Sequence, residues 1–150
     1  MSEPSHQEQI RNLIGRFTDA VNRADAEAFM SVWAPEATWI IDPPTGLTTT
    51  DTREAIAAGM GEALPALWSS FIQSIHGAAI TVDGDRATAR VYVAEIGVHR
   101  ERGPERNLGV YDDVLDRTAE GWRFRRRHYR YLHIDDSPIA GRIAPVGTTL

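Results

Sequence analysis

The sequence predicts an α+β fold in which N-terminal helices pack on one face of a curved antiparallel sheet. Three observations carry that prediction. Apolar residues recur at helical spacing early in the chain, alternation takes over from residue 71 onward, and turn signals divide the alternating region into consecutive strands. The chain has 150 residues, 42% of them hydrophobic and 25% charged, which is enough for one core. It reads as a single domain over 1–134 followed by an extended tail over 135–150.

The first helix opens at Ser5, with Glu8 at capping-box spacing, and Ile10, Leu13, Ile14, Phe17 and Val21 form its apolar stripe. Asp25 caps a second short helix that carries Phe29, Val32 and Trp33 and ends at Pro35. Residues 37–41 have strand composition and are stopped by Asp42-Pro43-Pro44-Thr45-Gly46. Asp51 with Glu54 repeats the cap signal before a third helix reaching Leu64. Then come a strand over 71–82, the turn Asp83-Gly84-Asp85, and a long strand over 86–99. An exposed loop over 101–106 precedes a strand over 108–115, and the turn at 118–121 leads into the last strand, 122–133. The tail carries two prolines and two glycines and little periodicity.

Composition removes several chemistries. Cysteine is absent, so there is no disulfide framework, thiol nucleophile or thiolate zinc site, and a cytoplasmic location is expected. Lysine is absent too, which excludes a Schiff-base lysine and a P-loop lysine. The polar start and the lack of an apolar run near ~18 residues argue against a secretory signal and a membrane span. A net charge of -5 argues against nucleic acid, although Arg123 to Arg130 form a basic run with aromatic residues interleaved.

Counting by twos assigns strand faces. On 86–99, Glu95 and His99 share a face with Ala87, Ala89, Val91 and Val93, opposite Arg90 and Tyr92. On the preceding strand His76 falls with Ala78, Ile80 and Val82. On the last strand, solvating Arg123, Arg125 and Arg127 puts Arg126 and His128 inside and Tyr129 and Tyr131 outside. For 108–115 the pattern leaves both faces open, one with Tyr111 and Asp113 and one with Asp112 and Val114.

The element order resembles that of the nuclear transport factor 2-like superfamily over about residues 8–133, and within it the SnoaL-like branch with polyketide cyclases, ketosteroid isomerases and scytalone dehydratase. The resemblance rests on the stretches 17–25, 33–38, 82–87 and 111–115 leading to Gly121-Trp122-Arg123-Phe124. It implies a cone enclosing an apolar pocket, and commonly a homodimer through the outer sheet face. His76 and His99 look like the two pocket histidines of the dehydratase, and Asp113 like the inner carboxylic acid of the isomerase, which favours the Tyr111 and Asp113 face. The dehydratase's helix tyrosine and aspartate fall on Val21 and Asn22, and the isomerase's hydroxyl donor on Phe17.

The working expectation is therefore a lyase or isomerase, of dehydratase or cyclase type, acting on a hydrophobic ring-containing metabolite. His76, His99 and Asp113 are the candidate catalytic residues, with one histidine removing a proton beside a carbonyl and Asp113 with Tyr111 stabilising the oxyanion. Phe17, Asn22, Trp39, Asp42, Glu95, Tyr111, Arg126 and His128 are the candidate substrate-binding residues. Asp113 has a salt bridge to Arg126 as its competing role, and Asp42 that of a turn carboxylate. The inner histidines lie on separate strands without a close-spaced ligand pair, so neither a metal nor another cofactor is expected. The alternatives are a ligand-binding or assembly module without turnover, and an accessory subunit of a ring-hydroxylating oxygenase.

Overall fold

The structure is a computed structural model and describes residues 3–44 and 49–150. Helix α1 (His6–Arg23) carries the capping box at Ser5 and Glu8, and its stripe from Ile10 to Val21 is buried. Helix α2 (Ala26–Met30) is capped by Asp25. It is shorter than the sequence implies, because Val32 ends in a turn and Trp33 already begins β1 (Trp33–Ile41) with Pro35 inside it. Strand β2 is Thr49–Thr50. Helix α3 (Arg53–Ala58) runs through a π-helical turn at Gly59–Ala63 into α4 (Leu64–Leu67). Residues 45 and 46 of the predicted stop lie outside the described residues.

Four long strands follow: β3 (Trp68–Asp83), β4 (Arg86–His99), β5 (Gly103–Thr118) and β6 (Gly121–Asp135). The loop expected over 101–106 shrinks to a tight connection, because β5 starts at Gly103, opposite His99. The sheet order is β2-β1-β6-β5-β4-β3, antiparallel except where β1 lies parallel to β6. Residues 136–150 carry no helix or strand; Val146 donates its N–H to the Ser69 carbonyl beside the start of β3.

Helix α1 packs on β3 and β6 inside the bent sheet, and Phe17 is the centre of the core. Its ring meets those of Phe29, Trp33, Trp39, Tyr111 and Phe124 at centroid distances of 5.2 to 6.4 Å, mostly edge to face. Beneath this cluster lies the one arginine that the sequence reading placed in solvent and the structure buries, Arg127. Its guanidinium stacks on Phe17, Tyr111 and Phe124 at 4.2, 3.8 and 4.2 Å and grips Asp113 with two bonds of 2.9 and 3.0 Å.

The bulges explain this and two other departures. Phe124 pairs with Leu115 and Arg126 with Val114, so Arg125 is an extra residue on β6, and the faces exchange there. Arg127, Tyr129 and Tyr131 therefore follow Trp122 and Phe124 onto the inner face, while Arg126 is exposed and His128 half-buried on the outer one. A second bulge lies between Ile75 and Gly77, whose partners Val93 and Tyr92 are consecutive. His76 is the residue expelled, and it is exposed.

Breaking the buried ion pair from one side leaves a desolvated charge. Asp113→Asn or Arg127→Met alone is expected to lower unfolding free energy by about 3–5 kcal/mol. The double variant should recover most of that loss; urea titrations in which its cost equals the sum of the two single costs would show the pair to be uncoupled.

Candidate active site

An apolar cavity of about 70 Å3 opens between α1, the sheet and the helical segment over residues 59–67. Its walls are Phe17 and Val21 of α1, Trp39 and Ile41 of β1, and Trp68 and Phe71 of β3; Met60, Leu64 and Leu67 close one side. The polar end is built by the sheet: Gln73 on β3, Glu95 on β4, Tyr111 on β5, and Tyr129 and Tyr131 on β6. Among the described residues no arginine or histidine borders the cavity.

Glu95 is 8% exposed. Its Oε1 accepts from Gln73 Nε2 at 2.8 Å and its Oε2 from the Tyr129 hydroxyl at 2.8 Å, and the Asn107 side chain bonds it as well. The Gln73 amide also donates to the Tyr111 oxygen at 3.3 Å, and its own oxygen accepts from Thr18 Oγ1 at 3.1 Å. The donor side of Gln73 is thereby fixed toward Glu95 and Tyr111. Burial pushes the Glu95 carboxyl above the ordinary glutamate range, against the pull of these three hydrogen bonds, and the nearby Glu105 charge adds to the rise. Burial also raises the Tyr111 and Tyr129 hydroxyls, so both remain protonated donors near neutral pH.

Two backbone positions make this arrangement possible. The Tyr129 phenol occupies the space that a Cβ on Gly109 would fill. A Cβ on Gly97 would lie 2.6 Å from the Ser70 carbonyl oxygen and 2.9 Å from the Trp68 ring, so glycine there lets Trp68 form the cavity wall. Asn22 holds β3 in place from α1, exchanging two 2.8 Å bonds with the backbone N–H and C=O of Gln73.

Of the residues singled out by sequence, Phe17, Trp39, Glu95 and Tyr111 line the cavity. The other seven do not. His76 is exposed on the β3 bulge. His99 is buried, but its ring packs edge-on against Trp68, with its Nδ1 accepting from the backbone N–H groups of Glu101 and Arg102. Burial, then the Arg102 charge, lowers its pKa. The two imidazoles therefore do not converge on one hollow. Asp113 is held by Arg127, not Arg126, and burial pushes its carboxyl up to about 6 while Arg127 pulls it down. Asn22 supports β3 instead of facing the cavity. Asp42 and His128 pair with each other at 2.8 Å, and Arg126 is exposed.

Gln73, Tyr129, Tyr131 and Trp68 escaped the sequence reading. For the tyrosines a signal exists: Trp122 and Phe124 occupy even positions, Tyr129 and Tyr131 odd ones, and a strand whose aromatic residues change parity contains a bulge. Gln73 sits beside strand residues that give no such cue.

Residues 3–128 match the SnoaL-like domain family, and the chain belongs to it. Among solved structures it is similar to a nuclear transport factor 2-like protein with a cystatin-like fold from Novosphingobium aromaticivorans, at 28% identity over 85% of this chain and 82% of that one, with a TM-score of 0.70. It is similar in fold to a hexachlorocyclohexane dehydrochlorinase from Novosphingobium barchaimii, at 19% identity over 92% of each chain and a TM-score of 0.79. A protein from Novosphingobium aromaticivorans assigned as a scytalone dehydratase aligns at 17% identity over 96% and 95% of the two chains, with a TM-score of 0.75. No curated protein matches the sequence. Among the described residues no group of three or more His, Asp or Glu side chains is placed to hold a metal ion, and no helix is long and apolar enough to cross a membrane.

The hydroxyl of Tyr129 favours ionised Glu95, so removing it should raise the Glu95 midpoint further. Tyr129→Phe and Gly109→Ala, which crowds the phenol away, are both expected to move it upward in a carbon-13 NMR titration; unchanged midpoints would detach both residues from the carboxyl. Because the folded protein binds this proton more tightly than the unfolded chain, Glu95 makes stability fall as pH rises from the ordinary glutamate value of about 4.5 toward its folded midpoint. Glu95→Gln should remove that part of the slope.

Proposed function

We propose that the chain is a small-molecule lyase or isomerase in which Glu95, rather than a histidine, exchanges the proton. The observation that supports this reading is a buried carboxyl at the polar end of an apolar cavity, bonded by neutral donors, with no cationic side chain among the described residues of the lining. Raised basicity suits proton removal from carbon. In the proposed step the Glu95 carboxylate takes a proton from a carbon beside a carbonyl. The C–H electron pair forms the new C=C bond, and the carbonyl π pair moves onto oxygen, where the Tyr111 hydroxyl donates. Returning the proton to another carbon completes an isomerisation; expelling a group from the next carbon completes an elimination.

The cavity volume bears on the substrate. A space of about 70 Å3 is roughly half of the ~150 Å3 that accommodates benzene, so a ring-containing ligand requires Met60, Leu64 and Leu67 to move outward.

The test uses butanone, small and uncharged, in heavy water. Wild-type protein should accelerate exchange of the protons beside its carbonyl, with a rate that climbs with pH through the Glu95 midpoint, and Glu95→Gln should lose about a hundredfold. Equal exchange in both proteins would leave the second reading, a ligand-binding module without turnover, which the absence of histidine from the described cavity lining favours.

A homodimer through the outer sheet face belongs to the same proposal, supported by Ile72, Leu108 and Leu132, which are 36 to 58% exposed. Leu108→Asp with Leu132→Asp should convert a dimer to a monomer in sedimentation velocity; wild-type protein sedimenting as a monomer at micromolar concentration would end this part.

A further inference from the structure

We infer that the cavity takes a small organic cation, a protonated or quaternary amine, as its preferred ligand class. The inference rests on the reading of this cavity as a ligand site and names the charge of what enters it. Three features of the walls support it.

Rings surround the space: Phe17, Trp39, Trp68 and Phe71 on its apolar sides and the tyrosines at its end. Aromatic faces carry negative potential and attract a cation by about 0.5–2 kcal/mol, most when water is excluded. The chain has 16 basic residues, all of them arginines, and none of those described reaches the lining. The ionisable acid facing the space is Glu95, and all its partners are neutral donors directed at its oxygens. A carboxylate so arranged accepts a positive charge from the cavity side without any rearrangement behind it.

A second buried acid lies behind Glu95, its charge matched by an arginine. Glu105 is 4% exposed, with Arg102 on one oxygen and no partner for the other, and the Asn107 amide oxygen is buried without a donor. The charged and titratable groups around Glu95 are Tyr111 and Glu105 on β5, the latter paired with Arg102, and Tyr129 and Tyr131 on β6; Arg106, His133 and Asp135 share a second hollow with it, where Arg106 pairs with Asp135. β3 contributes Gln73, and α1, β1 and the segment over 59–67 bring uncharged side chains. Among the described residues the lining itself carries one carboxyl and ring faces, while Arg127, stacked on Phe17 and Tyr111, is matched by Asp113. An anionic ligand would meet that carboxyl and those rings with no counter-charge, while a cation compensates the buried acid. Choline, with more heavy atoms than benzene, enters as a ring would, with Met60, Leu64 and Leu67 moving outward.

A cation beside Glu95 favours its ionised form, so binding releases a proton wherever the empty site holds one. Affinity for the cation should therefore rise with pH. The probes are choline and the neutral alcohol of the same shape in which carbon replaces its nitrogen, titrated calorimetrically into the full chain between about pH 5 and pH 8. Choline is expected to bind about tenfold or more tightly than the alcohol at the alkaline end, an advantage that shrinks toward the acid end. Glu95→Gln should shrink the choline advantage at the alkaline end to the smaller part that the rings supply, and make it independent of pH. The wild-type pH series keeps the test valid if that variant fails to fold. Equal binding of both probes at the alkaline end, or a choline advantage in Glu95→Gln with the size and pH dependence of the wild type, overturns the inference while leaving a ligand cavity. Binding of neither probe overturns the ligand-site reading together with it.

Discussion

Strand bending is the constraint on which the rest of the molecule depends. Strands of 14 to 16 residues cannot curve around a helix while keeping a regular pleat, and here the curvature is accompanied by residues inserted into the ladders of β3 and β6. Each insertion exchanges inner and outer faces for the residues that follow. The cone is therefore made by the same irregularities that decide which polar groups enter it. At Arg125 the exchange carries one arginine and two tyrosines inward, and at the bulge between Ile75 and Gly77 it turns a histidine out.

Those exchanges separate two carboxyls that a uniform pleat would treat alike. Asp113 and Glu95 are both buried on inner faces of neighbouring strands. Asp113 meets Arg127, which arrives only because of the bulge, and its charge is matched within the core by a guanidinium that also stacks on three rings. Glu95 meets Tyr129, carried inward by the same bulge, and receives a hydrogen bond in place of a counter-charge. One side chain serves the fold, and the other is left with its charge uncompensated beside an open space.

The helical frame was legible because its signals are local. Ser5 and Glu8, the stripe from Ile10 to Val21, and the Gly84 and Gly121 turns all depend on neighbours within a few residues, and the α+β class follows from their order. Glu95 was legible too, since β4 runs without a bulge from Ala87 to His99 and counting by twos holds along it. His76 and Arg126 were misassigned because a bulge depends on the partner strand and on the curvature of the whole sheet. His99 shows a different limit. Its face was read correctly, yet Trp68, admitted by the missing side chain at Gly97, stands between that ring and any part in the cavity.

The polar end of the cavity is also stiff, and that bears on what it can do. Thr18 fixes the Gln73 amide, Gln73 fixes Glu95 and Tyr111, and Asn22 pins the Gln73 backbone to α1. When Glu95 changes protonation, no partner must swing around to meet the new charge, because the donors already point at it. In water that reorganisation would oppose each transfer. A carboxyl desolvated enough to bind its proton tightly, yet surrounded by donors fixed in advance for its ionised form, is poised between its two states. The fold supplies both halves of that balance: the aromatic walls raise the cost of charge, and the network from α1 through β3 lowers it.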